Sequence, residues 1–267
     1  MIEVLKTAQC FAPVDGSVEF MYTRILFRQD GITFCARSPD RFGGREVDVN
    51  KLENVRPIPS ESYCPLLPSN CAIAPDPDRC YIKKPNLTSF DGGEDLASFV
   101  LQELATCEII RKQPHRNIAT YYGCQISDGR IIGLCFERYR ENLMDRINPG
   151  HLNKSMFILS GDRAAERKKA AHYLPGIEQG IRHLHGLGRI HNDINPANIV
   201  ISEDDTPVII DFDTSSVPGT ELDKAKRTYG WFDPHVCVSQ KSNDFDALAE
   251  LRVWLTGSSP AEFQFGW

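Results

Sequence analysis

Three carboxylate or carboxamide side chains stand at spacings that suit a hard divalent cation and a proton acceptor. They lie in His191-Asn192-Asp193-Ile194-Asn195-Pro196-Ala197-Asn198 and in Ile209-Ile210-Asp211-Phe212-Asp213. Asn198 follows Asp193 by five residues, and Asp211 follows it by eighteen. Apolar runs (Ile199 to Ile201, then Val208 to Ile210) separate the two acidic segments. Asn198 and Asp211 offer the oxygen donors that hard cations prefer, and Asp193 can take or orient a hydroxyl proton. Asn, Asp and Pro also favour turns for local reasons. That reading accounts for each residue singly, but not for the spacings together.

Together the two segments resemble the catalytic loop H-R-D-L-x-x-x-x-N and the metal loop D-F-G of eukaryotic protein kinases. The resemblance implies ATP and Mg²⁺ as cofactors, Asp193 as the residue facing the substrate hydroxyl, and Asn198 and Asp211 as metal ligands. His191 then braces the loop against the Asp211-Phe212 turn. The resemblance runs from about residue 80 to about residue 257. Cys80-Tyr81-Ile82-Lys83-Lys84 falls where the family's V-A-I-K strand lies. Lys83, with Lys84 as the alternative, is expected to hold the α- and β-phosphates and to pair with a helix Glu. Glu103 lies twenty residues on, with Glu108 the competing choice. Pro114-His115-Arg116-Asn117-Ile118 resembles the turn after that helix. Leu134-Cys135-Phe136-Glu137-Arg138-Tyr139 resembles the hinge, with Phe136 as gatekeeper and the Glu137 carbonyl and Tyr139 N–H bonding adenine. Gly180-Ile181-Arg182-His183-Leu184-His185 resembles the helix that leads into the catalytic loop. Thr228-Tyr229-Gly230-Trp231-Phe232-Asp233-Pro234 resembles the end of an activation segment. Asp244, in Asp244-Phe245-Asp246-Ala247-Leu248-Ala249, falls where the family has an Asp that bonds the catalytic-loop backbone. The motifs HNDINP, DFD and GWFDP are similar to those of compact kinase-like proteins of filamentous fungi.

Several positions depart from the family. No G-x-G-x-x-G precedes Lys83, and Gly43-Gly44 lies about forty residues upstream. Asn192 replaces the Arg that pairs with a phosphorylated activation loop, Asp213 replaces the Gly of D-F-G, and Asn195 replaces a phosphate-contacting Lys. About ten residues follow the last expected helix, so a shortened helical lobe with an exposed floor for a protein partner is expected. His235 stands where the family has a Glu that pairs with an Arg of the missing region. Three readings stay open: a protein kinase-like phosphotransferase directed at Ser or Thr, a pseudokinase acting as an interaction module, and a small-molecule kinase of the aminoglycoside or choline type.

The elements that must position these residues follow from pattern. Strands are expected at SVEFMYTRILF, ITFCA and REVDV between residues 17 and 49. Residues 56–79, with six prolines, read as extended loop. A short strand carries Lys83, and apolar spacing predicts a helix over 94–112. Two strands, IATYYGCQI and RIIGLCFERY, meet at Ser127-Asp128-Gly129. One long helix is expected over 164–188 and a last one from about Asp244 to Thr256. The resemblance implies an α+β, bilobal kinase-like fold, divided as 1–55 (β-rich extension), 56–139 (N-lobe to hinge) and 140–267 (shortened C-lobe).

Composition sets the outer bounds. A net charge of −6 gives no broad basic face for nucleic acid. No apolar run is long enough to span a membrane, and the N-terminus lacks a signal-peptide pattern. The nine cysteines are scattered without a CxxC pair. Reduced thiols in a cytoplasmic or nuclear protein, not a secreted one, are the expectation.

Overall fold

The computed structural model describes residues 2–14, 17–41, 48–90, 96–161, 163–223 and 225–266. The chain divides into two compact units, one of residues 1–67, 84–101 and 126–132, the other of residues 68–83, 102–125 and 133–267.

The first unit is built on a four-stranded antiparallel sheet in chain order: β1 (Ile2–Val14), β2 (Ser17–Gln29), β3 (Ile32–Ser38) and β4 (Glu53–Ile58). β1 was not expected. None of its residues whose burial is described is fully buried, so it carries no alternation of its own. It becomes a strand by pairing with β2, from Ile2 opposite Gln29 to Val14 opposite Ser17. Of the expected strand REVDV, the first three residues, like Gly43 and Gly44, lie outside the described residues; only its end is corrected, since Val49 opens a 3₁₀ turn, Val49–Lys51. There the Asn50 N–H donates to the Asp48 carboxylate at 3.1 Å, a local bond that competes with a ladder. β4 takes the edge instead, where Pro57 is tolerated because no partner needs its missing N–H. The extended loop expected over 56–79 therefore starts only after Ile58. The two faces of the sheet bury separate clusters, Ile25, Phe27 and Ala36 on one, Leu26, Cys35, Ile58, Phe90 and Leu96 on the other.

The second unit contains β5 (Tyr81–Lys83), the start of β6 (Tyr121–Ser127), the end of β7 (Arg130–Phe136) and most of α1 (Leu96–Lys112). The sheet order is β5-β7-β6, with Lys83 opposite Leu134. The β6–β7 turn places Asp128 and Gly129 at φ 50° and 72°, a backbone that an Asp-Gly pair adopts readily. Further along come β8 (Glu141–Asn142), α2 (Leu143–Ile147), α3 (Lys154–Ser160), α4 (Ala164–Ala170) and α5 (Leu174–Gly186). Asn142 and Asn153 cap α2 and α3, each accepting a backbone N–H at 2.8 Å. β9 (Ile199–Ile201), β10 (Pro207–Ile209) and α6 (Lys241–Thr256) complete the unit.

The single helix expected over 164–188 is also corrected. A 3₁₀ turn, Ala171–Tyr173, separates α4 from α5. Pro175 has no N–H to give the Ala171 carbonyl, so the α-ladder cannot run through. α5 then packs against the chain after α1. A Cβ on Gly180 would stand 2.8 Å from the Asn117 carbonyl oxygen, so only glycine allows that approach. On α5, Ile177, Ile181 and Leu184 are fully buried, and Trp254 of α6 stacks on Phe157 of α3 at 4.8 Å.

Candidate active site

The loop between α5 and β9 is shaped by its own side chains. Asn195 caps the 3₁₀ turn Pro196–Asn198, its Oδ1 accepting from the N–H groups of Ala197 and Asn198 at 2.9 and 3.2 Å. Its amide nitrogen donates to the Asp193 carbonyl at 3.1 Å and to the Thr228 hydroxyl at 3.0 Å. Where the family has a phosphate-contacting Lys, this chain has a structural cap.

Asp244 of α6, wholly buried, holds the front of the loop. Its carboxylate accepts the N–H of His191 at 2.9 Å and of Asn192 at 2.7 Å, and meets His185 Nε2 at 2.7 Å. His191 Nδ1 accepts the Asp193 N–H at 3.3 Å, which places the ring proton on Nε2, where it donates to the Ile210 carbonyl at 3.0 Å. The same ring meets Phe212 edge-on, with centroids 5.7 Å apart. The His191–Asn198 loop and the Asp211–Asp213 loop are thus joined through one histidine.

Asn192 is 2% exposed at φ 66°, a left-handed backbone that Asn tolerates better than other non-glycine residues. Its amide nitrogen lies 3.1 Å from the Thr214 carbonyl, the Ser216 hydroxyl and the Ser239 hydroxyl, and 3.3 Å from the Ile190 carbonyl. Asn243 of α6 donates to its Oδ1 at 3.0 Å. Sequence reading registered this position only as a lost cation. The structure makes it the centre of a buried polar network.

Asp193 is nearly buried, and both its carboxylate oxygens are engaged. Oδ1 accepts the Thr228 N–H at 2.7 Å, and Oδ2 accepts the Thr228 hydroxyl at 2.9 Å and the Asn198 amide at 3.0 Å. Burial pushes its pKa up, and the Thr228 N–H holds it back in part. The contact with Thr228, 35 residues away, had no sequence signal beyond the motif that contains it.

Lys83 on β5 reaches two acids at once. Its ammonium lies 2.7 Å from Glu103 of α1 and donates to Asp211, with Asp213 at 4.0 Å. Glu103 also accepts the Phe212 N–H at 3.3 Å. Burial drives the Lys83 pKa down, but Glu103, Asp211 and Asp213 outweigh it and hold the ammonium charged. Burial raises Glu103 despite Lys83. Asp211 (φ 67°) lies below the ordinary carboxylate range because Lys83 overcomes its burial. Asp213 is pushed up to about 7 by burial, against the pull of Lys83, with Asp211 and Glu103 adding to the rise. Glu108 is engaged elsewhere: it accepts the Ala72 N–H at 2.8 Å and pairs with Arg111 at 2.9 Å.

A cavity of about 380 Å³ opens beside Lys83 and Asp211, lined also by Phe136, Glu137, Tyr139 and Asp145. The Glu137 N–H is taken by the Thr120 carbonyl at 3.0 Å, and the Tyr139 hydroxyl donates to the Glu137 carboxylate at 3.2 Å. Phe136 is buried against Tyr121, with centroids 5.4 Å apart. His183, singled out in the helix motif, bonds the Gln113 carbonyl at 2.8 Å and stacks on His115. Asp145 and Asn142 on the cavity wall, and Ser239 and Asn243 around Asn192, are not singled out by the sequence.

Comparison with known proteins agrees with this geometry. The family model described as protein kinase domain matches residues 77–262, well over half of the chain. The chain belongs to the protein kinase domain family and has its α+β, kinase-like phosphotransferase fold. It is similar to cysteine-rich receptor-like protein kinase 25 of Arabidopsis thaliana, 24% identical over 251 residues, 88% of this chain and 34% of that protein. It is also similar to mitogen-activated protein kinase kinase kinase kinase 3 of Rattus norvegicus, 26% identical over 64% of this chain and 18% of that protein. A receptor-like serine/threonine-protein kinase of Arabidopsis thaliana is 28% identical over 51% of the chain and 17% of that protein. The chain thus spans about a third or less of the length of these relatives. Among the described residues, no helix is long and apolar enough to cross a membrane.

Proposed function

We propose that this domain transfers the terminal phosphoryl group of ATP, with Mg²⁺, to Ser or Thr hydroxyls of a protein substrate. The observation that carries the reading is the Lys83 ammonium held between Glu103 and Asp211. A half-buried lysine fixed by a carboxylate on each side keeps its charge and its position, as a phosphate-binding cation must. The donor set fits the cation. Asp211 and Asn198 are oxygen ligands, and because the Asn198 amide nitrogen donates to Asp193, its oxygen is left for the metal. Bound MgATP supplies the phosphoryl group and, through its metal, charge neutralisation. Asp193 takes or orients the proton of the incoming hydroxyl. Thr228 already sets an aliphatic hydroxyl 2.9 Å from Asp193 Oδ2, which supports an aliphatic alcohol as acceptor. Glu137 and Tyr139 offer backbone groups to adenine on one wall of the cavity.

The test is incorporation of label from γ-labelled ATP into casein, alongside nucleotide titrations on the same preparation. Asp193→Asn should abolish transfer and change nucleotide affinity by less than about threefold, since Asp193 does not hold the nucleotide. Full activity in that variant refutes the assignment. If the wild-type protein shows no metal-dependent nucleotide binding, the domain is an interaction module, a reading favoured by the absence of a G-x-G-x-x-G run ahead of Lys83.

A further inference from the structure

Lys154 opens α3 and is 2% exposed. Lysine is almost never fully buried unless it is paired, and a cation in the first turn of a helix faces the positive end of the helix dipole. Helix formation therefore does not account for it. Its ammonium is met from several directions. The Gly230 carbonyl accepts from it at 2.6 Å and the Phe265 carbonyl at 3.4 Å, and the Glu250 carboxylate of α6, itself wholly buried, lies 3.4 Å away. The rings of Phe263 and Trp231 stand 4.1 and 4.9 Å from it. Glu250 also accepts the Phe265 N–H, so the Phe265 backbone bonds both members of the ion pair. Burial lowers the Lys154 pKa, and Glu250 pulls it back up. The residues after α6 that bring Phe263 and Phe265 here are fixed in turn. Ser259 caps the 3₁₀ turn Pro260–Glu262, and Arg167 of α4 donates to the carbonyls of Trp254 and Gly257 at 3.0 and 2.9 Å.

Gly230 leads from this pair to the candidate site. The Trp231 N–H donates to the Thr228 carbonyl at 3.1 Å and closes a turn in which Gly230 has φ 81°, a backbone that suits glycine at the third position of a type II turn. Thr228 opens the turn, and its N–H and hydroxyl hold the two carboxylate oxygens of Asp193 at 2.7 and 2.9 Å. Lys154 fastens the other end, through the Gly230 carbonyl and the face of Trp231. Trp231 is 4% exposed and meets Trp254 of α6 edge-on, with centroids 6.1 Å apart. One four-residue turn thus stands between the buried cation and Asp193.

We propose that Lys154 is a positioning residue for phosphoryl transfer: held by Glu250 and Phe265, it sets the Thr228–Trp231 turn and, through that turn, the carboxylate of Asp193. The inference rests on the reading of Asp193 as the group that orients the acceptor hydroxyl. A bond from an ammonium to a carbonyl is stronger than one between neutral groups, so it fixes the turn more firmly than the turn's own N–H does. The residues after α6 then belong to the support of the site, because they help to hold the ammonium in place.

The experiment compares the wild-type protein with Lys154→Met and with the double variant Lys154→Met/Glu250→Gln. Transfer to casein, melting temperature and hydrogen exchange of the Thr228 and Ile181 amides are measured on each. Met keeps the stem and loses the charge, but leaves Glu250 buried and unpaired. Gln at 250 removes that charge and still offers an oxygen to the Phe265 N–H, so the double variant should regain most of the lost melting temperature. Both variants should lose about tenfold or more in kcat, with KM for ATP changed less than about twofold, because a small displacement of an orienting group is costly to rate and Lys154 does not hold the nucleotide. The Thr228 amide should exchange faster in both, relative to the buried Ile181 amide of α5. A merely structural role makes different predictions: kcat returns with the melting temperature in the double variant, and the two amides speed up equally. Either result, or an unchanged kcat in Lys154→Met, overturns the proposal. If the wild-type protein transfers no phosphate, or if Asp193→Asn stays fully active, it is the reading of Asp193 that fails, and Thr228 exchange still decides whether Lys154 sets the turn.

Discussion

Replacing Asn192 by Ala should cost about 4 kcal/mol of folding stability, and replacing it by Gly should cost less, by roughly half a kcal/mol. The amide nitrogen has two protons to share among four acceptors within 3.3 Å, and its oxygen accepts one bond from Asn243. Two donated bonds and one accepted bond are therefore lost, at about 1 kcal/mol each for neutral pairs, or about 3 kcal/mol together. Some partners are not stranded. Asn243 keeps its bond to the Val238 carbonyl at 3.0 Å, and the Ile190 carbonyl keeps the Ser216 N–H at 3.0 Å. The remaining ~1 kcal/mol in Ala is backbone strain, because φ at this position is 66° and a Cβ other than that of Asn or Asp is disfavoured there. Glycine removes the same bonds without that strain, and only part of its advantage is returned through a looser unfolded chain. Equilibrium urea unfolding of the three proteins, with the midpoint and slope both fitted, measures the differences. If Ala is as stable as Asn, the network contributes nothing. If Ala is at least as stable as Gly, the backbone argument is wrong. Restoring the family's arginine, Asn192→Arg, should fare worst, since a guanidinium would enter a buried site whose acceptors are all neutral.

Three further outcomes follow from the same geometry. The pH dependence of phosphotransfer should show an acid limb with a midpoint above ~4, the ordinary carboxylate value, because burial favours the protonated form of Asp193. The sign for stability is opposite: a carboxyl with a raised folded pKa binds its proton more tightly when folded, so its contribution is lost as pH rises above ~4 while activity appears. A limb centred below that value refutes the burial argument. Asp211→Asn should weaken Mg²⁺-dependent nucleotide binding far more than metal-free binding, and equal loss of both in titrations with and without EDTA would remove Asp211 from the metal site. Phosphatase treatment should leave turnover unchanged: Thr214, Ser215 and Ser216 are 3%, 0% and 4% exposed, and Arg227 is committed to the carbonyls of Asn192 and Val236. A tenfold loss on treatment, about 1.4 kcal/mol of barrier, would show that a phosphate switch survives.

What the sequence disclosed and what it hid divide along physical lines. Local chemistry was readable. The Asp128-Gly129 turn, the periodic helix that became α1 from Leu96, and the strand ending at Lys83 are stretches whose residues state their own preference. The fold errors arose where a partner decides the outcome. β1 exists because β2 pairs with it, and β4 runs into residues read as loop because an edge admits Pro57. The helix break at Pro175 is marked in the sequence by the proline itself, but the apolar spacing continues through it and masks the break. At the candidate site, residue types and spacings pointed to Lys83, Glu103, Asp193, Asn198 and Asp211. The bonds that orient Asp193 and its neighbour Asn192 come from Thr228, Ser239 and Asn243, which are 35 or more residues from the groups they hold; Thr228 lies in a recognisable motif, and Ser239 and Asn243 carry no pattern of their own.

The bond between Asp244 and the loop has a consequence for the order of assembly. The carboxylate that fixes the His191 and Asn192 amides lies 53 and 52 residues further along the chain. When the loop leaves the ribosome, its brace has not yet been synthesised. The loop can form its own Asn195 turn early, but it cannot reach its final conformation until α6 has been made and docked. Maturation of the site is therefore a late event of folding, and its loss an early consequence of undocking α6. In native-state hydrogen exchange the amides of His191 and Asn192 should open together with those of α6, with the same free energy of opening, because one buried carboxylate joins them.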